Sequence, residues 1–171
     1  MSRKLKRPKF ISMAGAIASG KTTLARQIAR ESGAVLFSID EWVGKIGRPK
    51  NFKEYSDYYF PCWDLIASLS RELLTKGISV VLDFGGNSDK ERERTKAAYA
   101  GVDCDRELFF LNTPPAICAE RFKKRNENPE TEIREESLRE AERAGIKNIF
   151  EPPLPGDGYN VIEIKLEQDA R

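Results

Sequence analysis

The chain has 171 residues, the size of one domain with a sizeable hydrophobic core. Apolar residues make up 40% and charged residues 33% of it, and the net charge of +2 requires neither a nucleic acid nor a membrane as partner. Histidine is absent, which excludes Ser-His-Asp and Cys-His catalysis and His-ligated metals. A general base would therefore be a carboxylate or a rarer group. The three cysteines lack metal or CxxC spacing, as is typical of a reducing compartment.

The N-terminal segment MSRKLKRPKF, read together with the following ISMAGAIA, imitates a signal peptide. The apolar run is short and poor in leucine, however, and no run approaches the ~20 residues of a membrane span. The same residues also continue into a different motif. We therefore expect residues 1–9 to form a basic tail, residues 10–171 to form a single domain, and the protein to be cytoplasmic.

The predicted elements alternate between short apolar strands and amphipathic helices. In chain order they are a strand over 10–14, a helix over 21–32, a strand over 34–39, an irregular segment over 41–61, a helix over 64–76, a strand over 78–84, a helix over 88–100, a strand over 106–112, helices over 114–126 and 133–144, and a strand over 159–165. Gly33 is expected to end the first helix, Ser88 and Glu91 to form a capping box, and Thr113 to cap the helix that begins with Pro114. The alternation predicts an α/β/α sandwich around a five-stranded parallel sheet.

The segment GAIASGKTT at residues 15–23 matches the P-loop pattern G-x-x-x-x-G-K-[ST] between a predicted strand and a predicted helix. The glycines let backbone N–H groups converge on an anion, and the helix directs its positive end to the same place. We expect Lys21 to reach the β- and γ-phosphates of ATP and the Thr22 hydroxyl to coordinate Mg²⁺. A plain glycine-rich turn is the alternative. The other predicted nucleotide-binding residues are Gly15, Ala16, Ala18, Ser19, Gly20 and Thr23.

Two aspartates lie near the carboxyl ends of predicted strands, where parallel sheets collect their ligands. Asp40 follows the second strand and is the candidate base that accepts a proton from an attacking hydroxyl. Asp83 lies in the third strand and is the candidate for holding the Mg²⁺ water shell. The alternatives are an N-cap role for Asp40 in a helix starting at Glu41, and a capped turn at Asp83.

The helix over 114–126 places Arg121 and Arg125 four residues apart on one face, and 126-NENPETE-132 follows it. A basic helix end before a break predicts a small helical lid over about residues 121–135, whose guanidinium groups would stabilise the charge of a transferring phosphoryl group. A solvated basic face is the alternative. The guanine-reading Asn-Lys-x-Asp pattern of GTPases is absent, although the stretch beginning at Asp83 fits their shorter Asp-x-x-Gly.

These segments together resemble the small P-loop kinases of the zeta-toxin, chloramphenicol-phosphotransferase and polynucleotide-kinase group, which have an AAA-type ATP-binding domain. The resemblance spans nearly the whole chain and consists of GAIASGKTT at 15–23, FSID at 37–40, VVLDFGGNSDKERER at 80–94, LNTPPAICAERFKKRN at 111–126 and FEPP at 150–153. It implies a kinase-like fold and the phosphorylation of a hydroxyl with ATP and Mg²⁺. The residues that match the group's positions are Lys21 and Thr22 for nucleotide and metal, Asp40 for the base, Asp83 for metal or acceptor, and Arg121 and Arg125 for the lid.

The sequence departs from this group at two places. Only six residues follow Lys165, where many relatives have a loop against the adenine and a final helix, so we expect Arg121 to stack on the base unaided. Trp42 and Val43 stand where polynucleotide kinases commonly carry an arginine, which disfavours that branch of the group.

Residues 42–63 carry seven of the chain's sixteen aromatic side chains and several lysines and arginines. Aromatic rings stack on planar groups, so this segment is expected to form the acceptor pocket, with a small satellite core as the alternative. The favoured function is a kinase acting on a hydroxyl of a metabolite, a nucleotide sugar or an antibiotic. A polynucleotide 5′-hydroxyl kinase and a regulator that binds or hydrolyses ATP without transferring phosphate remain open.

Overall fold

A computed structural model of the protein describes residues 7–126, 151–154, 156 and 158–165, with the side chains of Phe52, Arg125 and Asn126 outside that description. The strands are β1 (Lys9–Gly15), β2 (Val35–Phe37), β3 (Val80–Gly85), β4 (Asp105–Asn112) and β5 (Asn160–Lys165). The helices are α1 (Lys21–Ser32), α2 (Ile39–Ile46), α3 (Phe52–Thr75), α4 (Asp89–Thr95) and α5 (Pro115–Asn126), and a 3₁₀ turn at Lys96–Ala98 follows α4.

The five strands form one parallel sheet in the order β2-β3-β1-β4-β5, which confirms the predicted sheet. Strands β1 and β4 are neighbours at the centre of the sheet. The connection that follows β1 leads to β2 on one side of this pair, whereas the connection that follows β4 leads to β5 on the other side. Such a reversal opens a crevice outside the carboxyl ends of the neighbouring strands, where ligands bind in open parallel sheets. The β1–β3 pairing is regular as far as Ser12 opposite Leu82 and then shifts, so that Met13 lies opposite Gly85.

Hydrophobic cores cover both faces of the sheet, because successive side chains of a strand point to opposite sides. One core combines Phe10, Val80, Leu82 and Leu108 of the sheet with Trp63, Ile66 and Leu74 of α3. The other combines Ile11, Met13 and Val81 of the sheet with Ala25 and Ala29 of α1. Helices therefore pack on each side of the sheet, as the predicted three-layer sandwich requires.

The prediction of an irregular segment over residues 41–61 is wrong, since α2 and most of the first half of α3 occupy it. Asn51 caps α3 by accepting a hydrogen bond from the Glu54 N–H at 3.0 Å. Pro61 lies inside α3 and removes one backbone donor, which would be paired to the carbonyl of Asp57 four residues earlier. Both residues are exposed, so water can satisfy that carbonyl.

The ends of the other elements differ from prediction by a few residues. Strand β1 begins at Lys9, and Arg7 forms ion pairs with Asp103 and Asp105, so the last residues assigned to the basic tail belong to the folded domain. The predicted helix over 133–144 lies outside the described residues. Within the described part of the chain, no helix combines the length and apolar character needed to cross a membrane.

Candidate active site

The P-loop, residues 15–20, starts at Gly15, the last residue of β1, and leads into α1, and its backbone repeatedly enters the left-handed region. The φ angles are 150° at Gly15, 60° at Ala18 and 106° at Gly20. A Cβ added to Gly15 would lie 2.7 Å from Ser19 Oγ and 2.9 Å from the Leu111 carbonyl oxygen, so only glycine fits there. The loop is therefore tightly folded back on itself at its first residue.

The loop has the properties of a phosphate cradle. Helix α1 begins at Lys21, so its unpaired N–H groups and the positive end of its dipole face the loop. The Lys21 ammonium group donates hydrogen bonds to the carbonyls of Gly15 (2.6 Å) and Ala16 (2.9 Å), which places a positive charge within the same loop. The Ser19 hydroxyl oxygen is buried without a hydrogen-bond partner among the described residues. These residues fit a polyphosphate group.

Thr22 and Asp83 lie on facing surfaces of α1 and the sheet. Asp83 is 7% exposed and shares its side of β3 with Val81, which belongs to the same hydrophobic core as Ala25 of α1. Thr22 lies three residues before Ala25, on the same face of the helix. Asp83 is part of the strand, so the alternative of a capped turn does not apply. A hydroxyl and a carboxylate on facing surfaces fit Mg²⁺, which proteins bind through few side chains and the substrate phosphates.

Asp40 is the second residue of α2, at the carboxyl edge of β2. The N-cap position belongs to Ser38, so the alternative in which Asp40 caps this helix is wrong. The Tyr55 hydroxyl of α3 donates a hydrogen bond to Asp40 Oδ1 at 2.5 Å. Because the strands are parallel, Asp40 after β2 lies at the same edge of the sheet as the P-loop after β1. Strand β3 lies between β2 and β1, which are therefore about 10 Å apart.

Two residues of the chain around α5 contact the P-loop, one just before the helix and one within it. The Arg121 guanidinium group donates to the Ser19 carbonyl at 3.3 Å, and the Thr113 hydroxyl donates to the same carbonyl at 3.0 Å. Thr113 therefore braces the loop. The helix after it begins at Pro115, one residue later than expected. The Arg125 side chain and residues 127–135 of the predicted lid lie outside the described residues, so these parts of the lid stay predictions.

The sequence reasoning missed two residues beside the P-loop. The Asn87 side-chain carbonyl accepts a hydrogen bond from the Gly15 N–H at 3.0 Å. Glu91 accepts one from the Asn87 N–H at 2.9 Å, and burial raises the pKa of Glu91, while the nearby charge of Lys21 acts in the opposite direction. The capping box did predict that Ser88 Oγ accepts from the Glu91 N–H, which it does at 3.2 Å.

The aromatic segment divides between core and surface. Trp63 is buried, and three further rings are partly buried and packed against the same core, namely Trp42, Tyr55 and Tyr59. Tyr58 and Phe60 are 39% and 50% exposed. The core alternative therefore describes four of these rings, which form part of the main core rather than a satellite.

The parallel sheet with its P-loop after the first strand defines a kinase-like P-loop NTPase fold, and solved structures confirm it. The chain is 18% identical to a candidate kinase from Chloroflexus aurantiacus J-10-fl, with a TM-score of 0.71 over 94% of this chain and 89% of that one. The APS kinase CysC of Mycobacterium tuberculosis, solved with AMPPNP and APS, is 17% identical, with a TM-score of 0.61 over 95% and 90%. A gluconokinase from Sinorhizobium meliloti 1021 is 19% identical, with a TM-score of 0.58 over 95% and 85%.

The family follows from the sequence itself. The model of the AAA domain family (AAA_33) matches residues 10–152, so the chain belongs to that family. No curated protein matches the chain. The predicted resemblance to small P-loop kinases is confirmed.

Proposed function

We propose that this protein is a kinase that transfers the γ-phosphoryl group of ATP to a hydroxyl of a small-molecule acceptor. The observation that carries the proposal is the Asp40 carboxylate, which Tyr55 holds at the same edge of the sheet as the P-loop. A protein that only binds nucleotide has no need of an oriented carboxylate there, whereas transfer to a hydroxyl requires a proton acceptor.

The nucleotide phosphates are assigned to the P-loop. Its backbone N–H groups and the start of α1 would bind the β- and γ-phosphates, with Lys21 leaving its carbonyl partners to neutralise their charge. Arg121 lies beside Ser19 and Gly20 of the loop, which supports its assignment to the nucleotide, where it would stack on the adenine. We assign Mg²⁺ to Thr22 and Asp83, and when bound it would neutralise the phosphate oxygens.

In the proposed reaction Asp40 accepts the proton of the acceptor hydroxyl. The hydroxyl oxygen then forms a bond to the γ-phosphorus, the bond from that phosphorus to the β,γ-bridging oxygen breaks, and ADP leaves. The Tyr55 hydrogen bond fixes the carboxylate for this role. Because proton acceptance by a positioned base contributes typically 10²–10⁴-fold, Asp40 is the residue whose loss is expected to separate catalysis from binding.

A small molecule is the favoured acceptor. The APS kinase and the gluconokinase of similar fold are small-molecule kinases by name, which supports this class for the present chain. Residues 42–63 follow Asp40 directly and are the assigned acceptor side, with Tyr58 and Phe60 as their exposed aromatic rings.

The variant Asp40→Asn tests the proposal. It should keep ATP affinity within about twofold and lower turnover by about 10²–10⁴-fold. Glu41→Gln is the matched control, because Glu41 pairs with Arg26 on the surface at 2.6 Å and should leave turnover near the wild-type value. Full activity in Asp40→Asn would remove Asp40 as the base.

A further inference from the structure

Asn87 joins the P-loop to the loop that follows β3. Its side-chain carbonyl oxygen accepts the Gly15 N–H at 3.0 Å, across 72 positions of sequence. Gly15 is the residue at which β1 turns into the P-loop, and its carbonyl accepts the hydrogen bond from Lys21 Nζ. The side-chain amide of Asn87 therefore holds the N–H of Gly15, the residue at which the phosphate cradle starts.

The approach of Asn87 to Gly15 depends on the close packing of Gly86. A Cβ at Gly86 would lie 2.5 Å from the Met13 carbonyl oxygen and 2.7 Å from Leu108 Cδ1. The first of these neighbours is backbone and cannot move aside. The register shift between β1 and β3 occurs at this point, opposite Met13. The chain after β3 thus crosses close over β1, and this crossing brings Asn87 to the P-loop.

Other hydrogen bonds hold Asn87 from the opposite side. Its backbone N–H donates to the Glu91 carboxylate at 2.9 Å, and its backbone carbonyl accepts the Glu151 N–H at 2.7 Å. The buried Arg92 guanidinium group donates to the carbonyls of both Gly86 and Glu151 at 2.8 Å. The backbone around Asn87 is therefore anchored, so its amide has little freedom to turn away from Gly15.

We propose that Asn87 is a positioning residue of the nucleotide site, which holds the first glycine of the P-loop in the conformation that binds phosphate. This inference rests on the proposed function, because it assigns ATP to that loop. Without the amide the Gly15 N–H loses its acceptor, and the loop can leave the conformation in which its other N–H groups converge. ATP binding would then have to restore that conformation at the expense of affinity.

The test compares Asn87→Ala and Asn87→Asp with Ser88→Ala. Ser88→Ala is the control because Ser88 caps α4 through the Glu91 N–H, so its loss should lower stability without disturbing Gly15. Asn87→Ala removes the acceptor, whereas Asn87→Asp keeps an acceptor oxygen. For each protein we would measure the ATP dissociation constant by calorimetry and the amide hydrogen exchange of Gly15 by NMR without nucleotide.

We expect Asn87→Ala to raise the ATP dissociation constant about tenfold and to speed exchange at Gly15, while Ser88→Ala leaves both unchanged. Asn87→Asp should keep slow exchange at Gly15, which makes the test independent of whether the alanine variant folds. Wild-type affinity in Asn87→Ala, equal weakening in Ser88→Ala, or fast exchange in Asn87→Asp would overturn the proposal. A wild-type protein that does not bind ATP would instead refute the proposed function, and the exchange measurement would still test the role of Asn87.

Discussion

Replacing Tyr55 with phenylalanine tests whether the hydrogen bond to Asp40 serves catalysis. The substitution removes only the hydroxyl that donates to Asp40 Oδ1 at 2.5 Å. The ring can keep its packing against Tyr59, at a centroid distance of 5.6 Å. The change therefore removes a hydrogen bond of the Asp40 carboxylate while keeping this ring contact.

The expected loss follows from the strength of such a bond. A hydrogen bond to a charged group contributes about 1.5–3 kcal/mol, and each 1.36 kcal/mol changes a rate tenfold. If the bond serves to orient the base, Tyr55→Phe should lower kcat by about 10- to 150-fold and leave KM for ATP nearly unchanged. Steady-state phosphoryl transfer with the identified acceptor is the assay.

A double-mutant cycle separates this role from a structural one. If Tyr55 acts through Asp40, Tyr55→Phe should have almost no further effect in an Asp40→Asn background. Tyr99→Phe is the control, because it removes another tyrosine hydroxyl. That hydroxyl donates a hydrogen bond of 3.2 Å to the Tyr159 hydroxyl and does not contact Asp40. Equal losses from Tyr55→Phe in both backgrounds, or a comparable loss in Tyr99→Phe, would refute the reasoning.

Three further substitutions have definite expected outcomes. Lys21→Ala should abolish transfer and weaken ATP binding, measured by calorimetry, because it removes the positive charge of the phosphate loop; unchanged affinity would contradict the phosphate assignment. Gly86→Ala should destabilise the fold by about 1–3 kcal/mol, seen as a lower Tm, because its Cβ would meet the Met13 carbonyl at 2.5 Å; an unchanged Tm would show that this crossing is loose. Glu91→Gln keeps an acceptor for the Asn87 N–H and removes a carboxylate whose pKa burial raises above its ordinary value of 4.5. Because a raised pKa favours the protonated form in the folded state, the stability from Glu91 is greatest below that value and falls as pH rises through the raised pKa. Glu91→Gln should therefore have a higher Tm than wild type at pH 7 and the same Tm near pH 4, and a difference independent of pH would contradict this account.

The parts of the fold that follow local patterns could be predicted from the sequence. The P-loop and the five strands carry strong local signals, and the alternation of strands and helices predicts a parallel sheet. The strand order could not be predicted in this way, because it depends on which strands pair across the chain.

The error over residues 41–61 had a local cause. The prediction of an irregular segment overlooked Asn51 and Glu54, which have the spacing of a helix N-cap and mark the true start of α3. A proline on the exposed side of a long helix was tolerated because the core contacts of α3 outweigh one missing hydrogen bond.

The supporting residues of the site could not be predicted because their partners are distant in sequence. Tyr55 lies 15 positions from Asp40, and Asn87 lies 72 positions from Gly15. These pairs depend on the packing of α3 against α2 and on the close crossing at Gly86. The residue types that do chemistry are visible in the sequence, whereas the residues that orient them appear only in the folded chain.

The most direct test of the central claim is phosphoryl transfer itself. Radiolabelled γ-phosphate of ATP would be followed with Mg²⁺ into nucleosides, nucleotide sugars, amino-sugar and phenicol antibiotics, sugars and 5′-hydroxyl oligonucleotides, for wild type beside Asp40→Asn. The proposed function predicts that label enters one small-molecule class with wild type and falls by about 10²–10⁴-fold in the variant. Label that enters only oligonucleotides would contradict the small-molecule assignment, and label released only as inorganic phosphate, or equal transfer by both proteins, would contradict the kinase assignment with Asp40 as its base.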